Sequence, residues 1–158
     1  TKVKEEKQIQ PAIEKAFAEG NEVIIEGFLQ GTEVTCGMYK THEKTQVFPI
    51  TEVVSANEFF DFDAKYNGQV TEITPARIPQ EVTNHIQQLT NQLYDILGCK
   101  GIIRADFIIN KQNVPYLLEV NTTPGMTPTS FIPQQVKAAG MAISSVMEDI
   151  IENKLNHL

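Results

Sequence analysis

Clustered positive charge is what this sequence most lacks. Its 13 lysines and arginines are outnumbered by 20 aspartates and glutamates, giving a net charge of −7 and a pI near 4.9. Binding a phosphate backbone needs grouped Lys and Arg, so a nucleic-acid surface is excluded as the main business of the chain. Cysteine is scarce too: Cys36 and Cys99 have no metal-binding spacing, are too few for a disulfide scaffold, and read as buried thiols. The three histidines, His42, His85 and His157, fall on separate segments without a carboxylate partner nearby in sequence, and no role is assigned to them. No apolar run approaches the ~20 residues that span a bilayer. Neither an internal repeat nor a low-complexity tract is present. What remains is the composition of a soluble globular protein, 41% apolar and 21% charged. Its 158 residues make one domain's worth, or a piece of something larger.

Hydrophobic spacing divides the chain into elements. Residues from about Lys4 to Glu19 read as a helix with Ile13, Ala16 and Phe17 as its apolar stripe, Pro11 in its first turns and Gly20 as its stop. Strands are expected at Glu22 to Glu26, Thr32 to Lys40 and Gln46 to Val54, with Pro49 marking an edge or a bulge in the third. From Ser55 to Arg77 the periodicity dissolves, and so long an irregular stretch tends to be functional. Pro79 to Leu97 is the clearest helix, with Val82, Ile86, Leu89, Leu93 and Ile96 at three- and four-residue spacing and Gly98 just past its end. Two more helices are expected at Phe131 to Ala139 and Ala142 to Asn156, parted by Gly140.

The chemistry concentrates in two short runs, Gly101 to Ile109 and Pro115 to Asn121. Residues two apart on a strand share a face, so Arg104 and Asp106 point one way while Ile103, Ala105 and Phe107 point the other. Glu119 and Asn121 likewise share a face, opposite Tyr116, Leu118 and Val120. With Lys111 to Val114 as the hairpin loop, Asp106 faces Glu119 and Arg104 faces Asn121. Like charges directly opposite each other destabilise a strand pair, and a divalent cation reverses the sign of that interaction. Two carboxylates and an amide carbonyl make an all-oxygen ligand set suited to Mg²⁺ (or Mn²⁺). The plain alternative is that Arg104 pairs Asp106 or Glu119 on a solvated face. Three hard ligands and an arginine beside a Pro-Gly loop favour the metal.

These residues carry a resemblance. Arg104-x-Asp106, Glu119-x-Asn121 and the run Asn121-Thr122-Thr123-Pro124-Gly125-Met126-Thr127 resemble the metal and substrate end of the ATP-grasp ligases. With Phe62-Asp63-Ala64-Lys65-Tyr66 and Ser130, the chain is similar within that superfamily to the D-alanine–D-alanine ligases, from Val23 to about Ile151. The resemblance implies an α+β fold, the C-terminal ATP-grasp subdomain: a mostly antiparallel sheet from the five strands at Glu22, Thr32, Gln46, Gly101 and Pro115, with the helices at Pro79 and Ala142 packed on one face. It also implies that a further domain and a glycine-rich phosphate loop belong upstream, so residues 1–158 alone are expected to fold as one domain but not to catalyse.

The resemblance assigns roles. Glu26 with the backbone of Phe28 and Leu29 would clasp adenine, and Glu33 would hold the ribose hydroxyls, although strand-turn-strand with two glycines is by itself commonplace. Lys65 would meet ATP phosphates. Tyr66 would close over the second substrate near Ser130, on a lid that keeps water from a reactive acyl phosphate. Depsipeptide-forming relatives often carry phenylalanine where Tyr66 stands, which favours D-alanine over D-lactate here. Gly125, Ser130 and Phe131 would receive the carboxylate of the second D-alanine at a helix start, where free N–H groups suit an anion. Ser130 read alone is a helix N-cap, and the two readings are compatible. Arg104 would stabilise the developing oxyanion, with the metal at Asp106, Glu119 and Asn121. The implied activity is ATP-dependent joining of two D-alanines for peptidoglycan in the bacterial cytoplasm, in an enzyme that can be a homodimer. The alternatives are an ATP-grasp ligase of another carboxylate and amine, or a non-catalytic nucleotide- or metal-binding module.

Overall fold

A computed structural model describes residues 1–55 and 70–156. Strand β1 (Thr32–Lys40) is its centre. It pairs antiparallel with β2 (Thr45–Val47), β3 (Thr51–Ser55) and β5 (Ile102–Ile109), while β4 (Val70–Ile73) extends β3 and β6 (Pro115–Asn121) extends β5. The sheet order is β4-β3-β1-β5-β6, with β2 attached to β1. An all-antiparallel sheet with helices is the α+β class expected from the sequence.

Helices cover both faces of this sheet, where one had been expected. Helix α2 (Gln80–Ile96) sets Val82 and Ile86 against Val34, Cys36, Ala105 and Phe107. Helices α3 (Phe131–Ala138) and α4 (Ile143–Leu155) set Ile132, Val136 and Val146 against Tyr39 and Ile102. Even and odd positions of a strand lie on opposite sides, so α2 takes one face and α3 and α4 take one end of the other. Each well-buried aliphatic side chain contributes roughly 1.5–3 kcal/mol by leaving water. The polar groups of β5 and β6 occupy the uncovered remainder of the α3 face.

Two helix ends follow the glycine signals. Past α2, Gly98 takes φ +60° and its N–H donates to the Asp95 carbonyl at 3.1 Å, while Cys99 donates to Tyr94 at 2.9 Å. Gly140 ends α3 in the same way, with φ +71° and bonds from Gly140 to Lys137 and from Met141 to Val136.

Three expectations need correction. Glu22 to Glu26 is not a strand: Ile24 is 83% exposed and no described segment pairs with it. Val70–Ile73, inside the stretch read as irregular, is a strand paired to β3. The strand expected over Gln46 to Val54 splits at Phe48–Ile50, because Pro49 has no N–H to offer a ladder. At the amino end, α1 (Ile9–Phe17) follows a 3-10 turn at Glu6–Gln8 and buries none of its residues. Its apolar stripe finds no core among the described residues.

Candidate ATP and metal site

Along β5, Ile103, Ala105 and Phe107 are buried toward α2 and alternate with half-buried Arg104 and Asp106 on the other face. The register of β5 with β6 pairs Arg104 with Asn121 and Asp106 with Glu119, as the strand alternation requires. Beyond Asp106 the register shifts, so Phe107 pairs with Leu117 and Leu118 is left over as a bulge. The cause lies in the loop. Asn110 accepts from the N–H groups of Gln112 and Val114, both at 2.9 Å, and Asn113 takes φ 61°, so the loop starts at Asn110 and the bulge absorbs the extra residue. Leu118 therefore lines the polar-side cavity with Glu119, a correction to its expected place on the opposite face.

Arg104 holds the centre. Its guanidinium donates to Asp106 at 2.8 Å (Nε to Oδ1) and 2.7 Å (Nη2 to Oδ2), and reaches Glu119 at 3.4 Å. It also lies 5.3 Å from the centre of the Phe131 ring, a cation–π contact that ties the start of α3 to the hairpin. Burial acts to lower the Arg104 pKa, but the hydrogen bond and charge of Asp106 outweigh it and the net direction is up. Glu33, on β1, completes the cluster. Burial, and then the charge of Asp106, push its carboxyl up to about 6 against the opposing pull of Arg104. Burial is thus the main reason that Glu33 holds its proton more tightly, and the neighbouring Asp106 carboxylate adds to it.

A cavity of about 280 Å³ opens over this cluster, walled by Glu33, Val34, Thr35, Val53, Arg104, Asp106, Leu118, Glu119 and Phe131. Five residues singled out from sequence thus meet in one place: Glu33, Arg104, Asp106, Glu119 and Phe131. Thr35 was missed. It is 2% exposed, it pairs across the sheet with Asp106, and its Oγ1 has no hydrogen-bond partner among the described residues. The signal for it was present in the alternation, since Thr35 stands two residues from Glu33 on the same face.

The remaining candidates are placed less centrally. Asn121 spends one lone pair of Oδ1 on the Thr123 N–H at 2.9 Å and lies outside the cavity wall. Ser130 occupies the N-cap position of α3 but makes no capping bond. Its Oγ instead accepts from the Thr127 N–H at 3.2 Å and shares a 2.8 Å hydrogen bond with the Thr127 hydroxyl. Ser130 thus keeps the N-cap position expected of it without making the capping bond. Gly125 faces this serine so closely that a Cβ there would lie 2.8 Å from Ser130 Oγ. Glu26, Phe28 and Leu29 are in irregular backbone and do not line the cavity; Phe28 meets the ammonium of Lys2 at 3.8 Å. Lys65 and Tyr66 lie outside the described residues. Among the described residues no three His, Cys, Asp or Glu side chains converge as a ready metal cage. With Arg104 across both hairpin carboxylates, the donor set is the smaller one of Asp106, Glu119 and the Asn121 amide.

The family described as D-ala D-ala ligase C-terminus matches residues 1–152. This chain belongs to that family. The D-alanine–D-alanine ligase of Bacteroides fragilis is 69% identical over 154 residues, covering 98% of this chain and 48% of that protein. The Parabacteroides distasonis ligase is 67% identical over 157 residues, covering 99% and 48%. The chain thus spans about half the length of the curated relatives it matches. Among solved structures, the Bacillus anthracis D-alanine–D-alanine ligase complexed with ATP superposes with a TM-score of 0.76 at 32% identity, over 98% of this chain and 49% of that one. The VanG D-Ala:D-Ser ligase of Enterococcus faecalis superposes with a TM-score of 0.82 at 33% identity, over 97% and 45%. No helix among the described residues is long and apolar enough to cross a membrane.

Proposed function

We propose that this chain forms the ATP- and metal-binding half of a D-alanine–D-alanine ligase, and that the whole enzyme serves peptidoglycan synthesis in the cytoplasm. The observation that carries the reading is the register placing Asp106 opposite Glu119 beneath Arg104, with Phe131 of α3 against the same guanidinium. The cavity supports half a site: about 280 Å³ falls at or below the roughly 300–1,000 Å³ of small-molecule pockets, so ATP and two amino acids need a second wall. An upstream domain with a glycine-rich phosphate loop supplies that wall in this reading.

In the reaction, a carboxylate oxygen of the first D-alanine attacks the γ-phosphorus of ATP and ADP leaves. The amine of the second D-alanine then attacks the acyl phosphate, losing a proton as inorganic phosphate departs. Asp106, Glu119 and Asn121 suit Mg²⁺ or Mn²⁺, which typically takes one or two carboxylates plus substrate phosphates. The fit for such a cation lies in the donor set itself, two carboxylates facing each other across the hairpin with an amide carbonyl on the same face. When bound, the ion neutralises phosphate charge during transfer. Arg104 faces the developing oxyanion, Glu33 holds the ribose, and Gly125, Ser130 and Phe131 at the start of α3 receive the second carboxylate. Glu26, Phe28 and Leu29 clasp adenine, and Lys65 and Tyr66 close over phosphates and second substrate.

A coupled phosphate-release assay on a full-length ligase carrying this segment tests the reading: release should require both ATP and D-alanine. The likeness to a D-Ala:D-Ser ligase makes D-serine the competing second substrate, and equal turnover with D-serine would move the assignment to it. Nucleotide binding without D-alanine-dependent phosphate release would instead indicate a non-catalytic module or a ligase of other substrates.

A further inference from the structure

Gln135, in the middle of α3, is fully buried, an unusual state for a glutamine on a helix of eight residues. Its surroundings explain how it is tolerated. Between Val47 and Thr51 the partner of β1 breaks at Pro49, and the side-chain amide of Gln135 enters that break. Oε1 accepts from the Gly37 N–H at 2.9 Å. Nε2 donates to the Thr35 carbonyl at 2.9 Å and to Thr51 Oγ1 at 3.1 Å, so both of its N–H groups are used. Thr51 Oγ1 shares a 2.6 Å hydrogen bond with Thr74. Gly37 makes the entry possible, since a Cβ there would lie 2.6 Å from Gln135 Oε1. In the gap between β2 and β3 the amide thus gives the Gly37 N–H an acceptor and adds a donor to the Thr35 carbonyl beside it.

This clamp sits one helical turn from Phe131, on the same face of α3. It grips Thr35, whose side chain faces the cavity opposite Asp106. We infer that Gln135 is a positioning residue: clamped in the β1 gap, its amide sets the height of α3 above the sheet and so holds Ser130 and Phe131 over the Arg104–Asp106–Glu119 cluster. The inference rests on the proposed reading of Ser130 and Phe131 as the second-substrate end of the site. A fully satisfied buried network fixes one arrangement, whereas an apolar side chain of similar length would take the Oε1 acceptor from the Gly37 N–H and the Nε2 donor from the Thr35 carbonyl.

The test uses a full-length ligase carrying this segment, with Gln135→Met and Gln135→Glu. Steady-state kinetics are joined by amide hydrogen exchange at Gly37 and at Ser130, whose N–H bonds the Thr127 carbonyl at 2.8 Å. Gln135→Met should raise the KM for second-site D-alanine at least tenfold, leave the KM for ATP within twofold, and speed exchange at Ser130 as well as at Gly37. In Gln135→Glu, burial keeps the carboxyl neutral at lower pH, where it can accept from Gly37 and donate to Thr35. Its KM defect relative to the parent at each pH should therefore shrink as pH falls, and this profile carries the test if the methionine variant does not fold. Unchanged KM values with a lower melting temperature, or a defect in the glutamate variant that does not vary with pH, would reduce Gln135 to a structural residue. If the parent itself shows no D-alanine-dependent turnover, the ligase reading falls, and exchange at Ser130 still decides: faster exchange in Gln135→Met supports the positioning role, and unchanged exchange overturns it.

Discussion

The β5–β6 hairpin and the segment from Asn21 to Gly31 look alike on paper and end differently. Both carry apolar runs beside glutamates, and the sequence pattern predicts strands in both, one pair for the metal and substrate end and the other leading into the adenine clasp. The hairpin is built as expected. Ile103, Ala105 and Phe107 are driven into α2, and that burial leaves Arg104, Asp106 and Glu119 no choice of face. In the other segment Val23, Ile24 and Ile25 meet no described neighbour strand, and Ile25 remains 73% exposed. A hydrophobic pattern becomes a strand when something stands beside it to pair and pack with. In the proposed whole enzyme that partner comes from outside the described residues.

The largest expected effect belongs to the hairpin chemistry. Glu119→Gln removes the charge of a proposed metal ligand from a side chain that is 63% exposed, so activity should fall on the order of 10²–10³-fold while the melting temperature barely moves. A loss of folding comparable to the loss of rate would mean that Glu119 serves the hairpin and not a cation. Next comes the packing contrast. Phe107→Ala should cost about 3–5 kcal/mol in chemical denaturation, because the ring is buried against α2. Ile25→Ser in residues 1–158 should cost less than about 0.5 kcal/mol. Similar costs at the two positions would break the comparison. Gly37→Ala lies between them, with a Cβ only 2.4 Å from Ile132 Cδ1, and overpacking of this kind costs typically about 1–3 kcal/mol.

The smallest effect is a pH signature. Glu33 has its carboxyl raised to about 6 from an ordinary 4.5, so between those values the folded chain binds more protons than the unfolded one. Stability from this group is present below pH 4.5 and is lost as pH rises through 6. Glu33→Gln should therefore stabilise the fold near pH 8, by up to about 1 kcal/mol after allowing for solvent screening, with no gain at pH 4. A gain of equal size at both pH values would point to packing in place of charge.

What could be read from sequence follows the same division. The alternation around Arg104 and Asp106, the three-four spacing of α2 and the glycines closing α2 and α3 are local patterns with local consequences, and each holds. The bulge at Leu118 depended on how Asn110 chose to close its loop, a choice no strand pattern contains. Val70–Ile73 was hidden because its pairing partner β3 is close in space but separated by a long intervening stretch. Gln135 reads as an ordinary exposed glutamine until Pro49, 86 positions earlier in the numbering, is seen to open the gap it fills. The cluster was legible as chemistry; its contact with Phe131 was supplied by tertiary packing.

The most direct test of the account is a structure of the full-length ligase with Mn²⁺ and a non-hydrolysable ATP analogue. Anomalous density is expected close to about 2.1 Å, the usual magnesium–oxygen distance, from carboxylate oxygens of both Asp106 and Glu119, with Arg104 turned from Asp106 toward the substrate. Metal held elsewhere, with the Arg104–Asp106 pair intact, would contradict it.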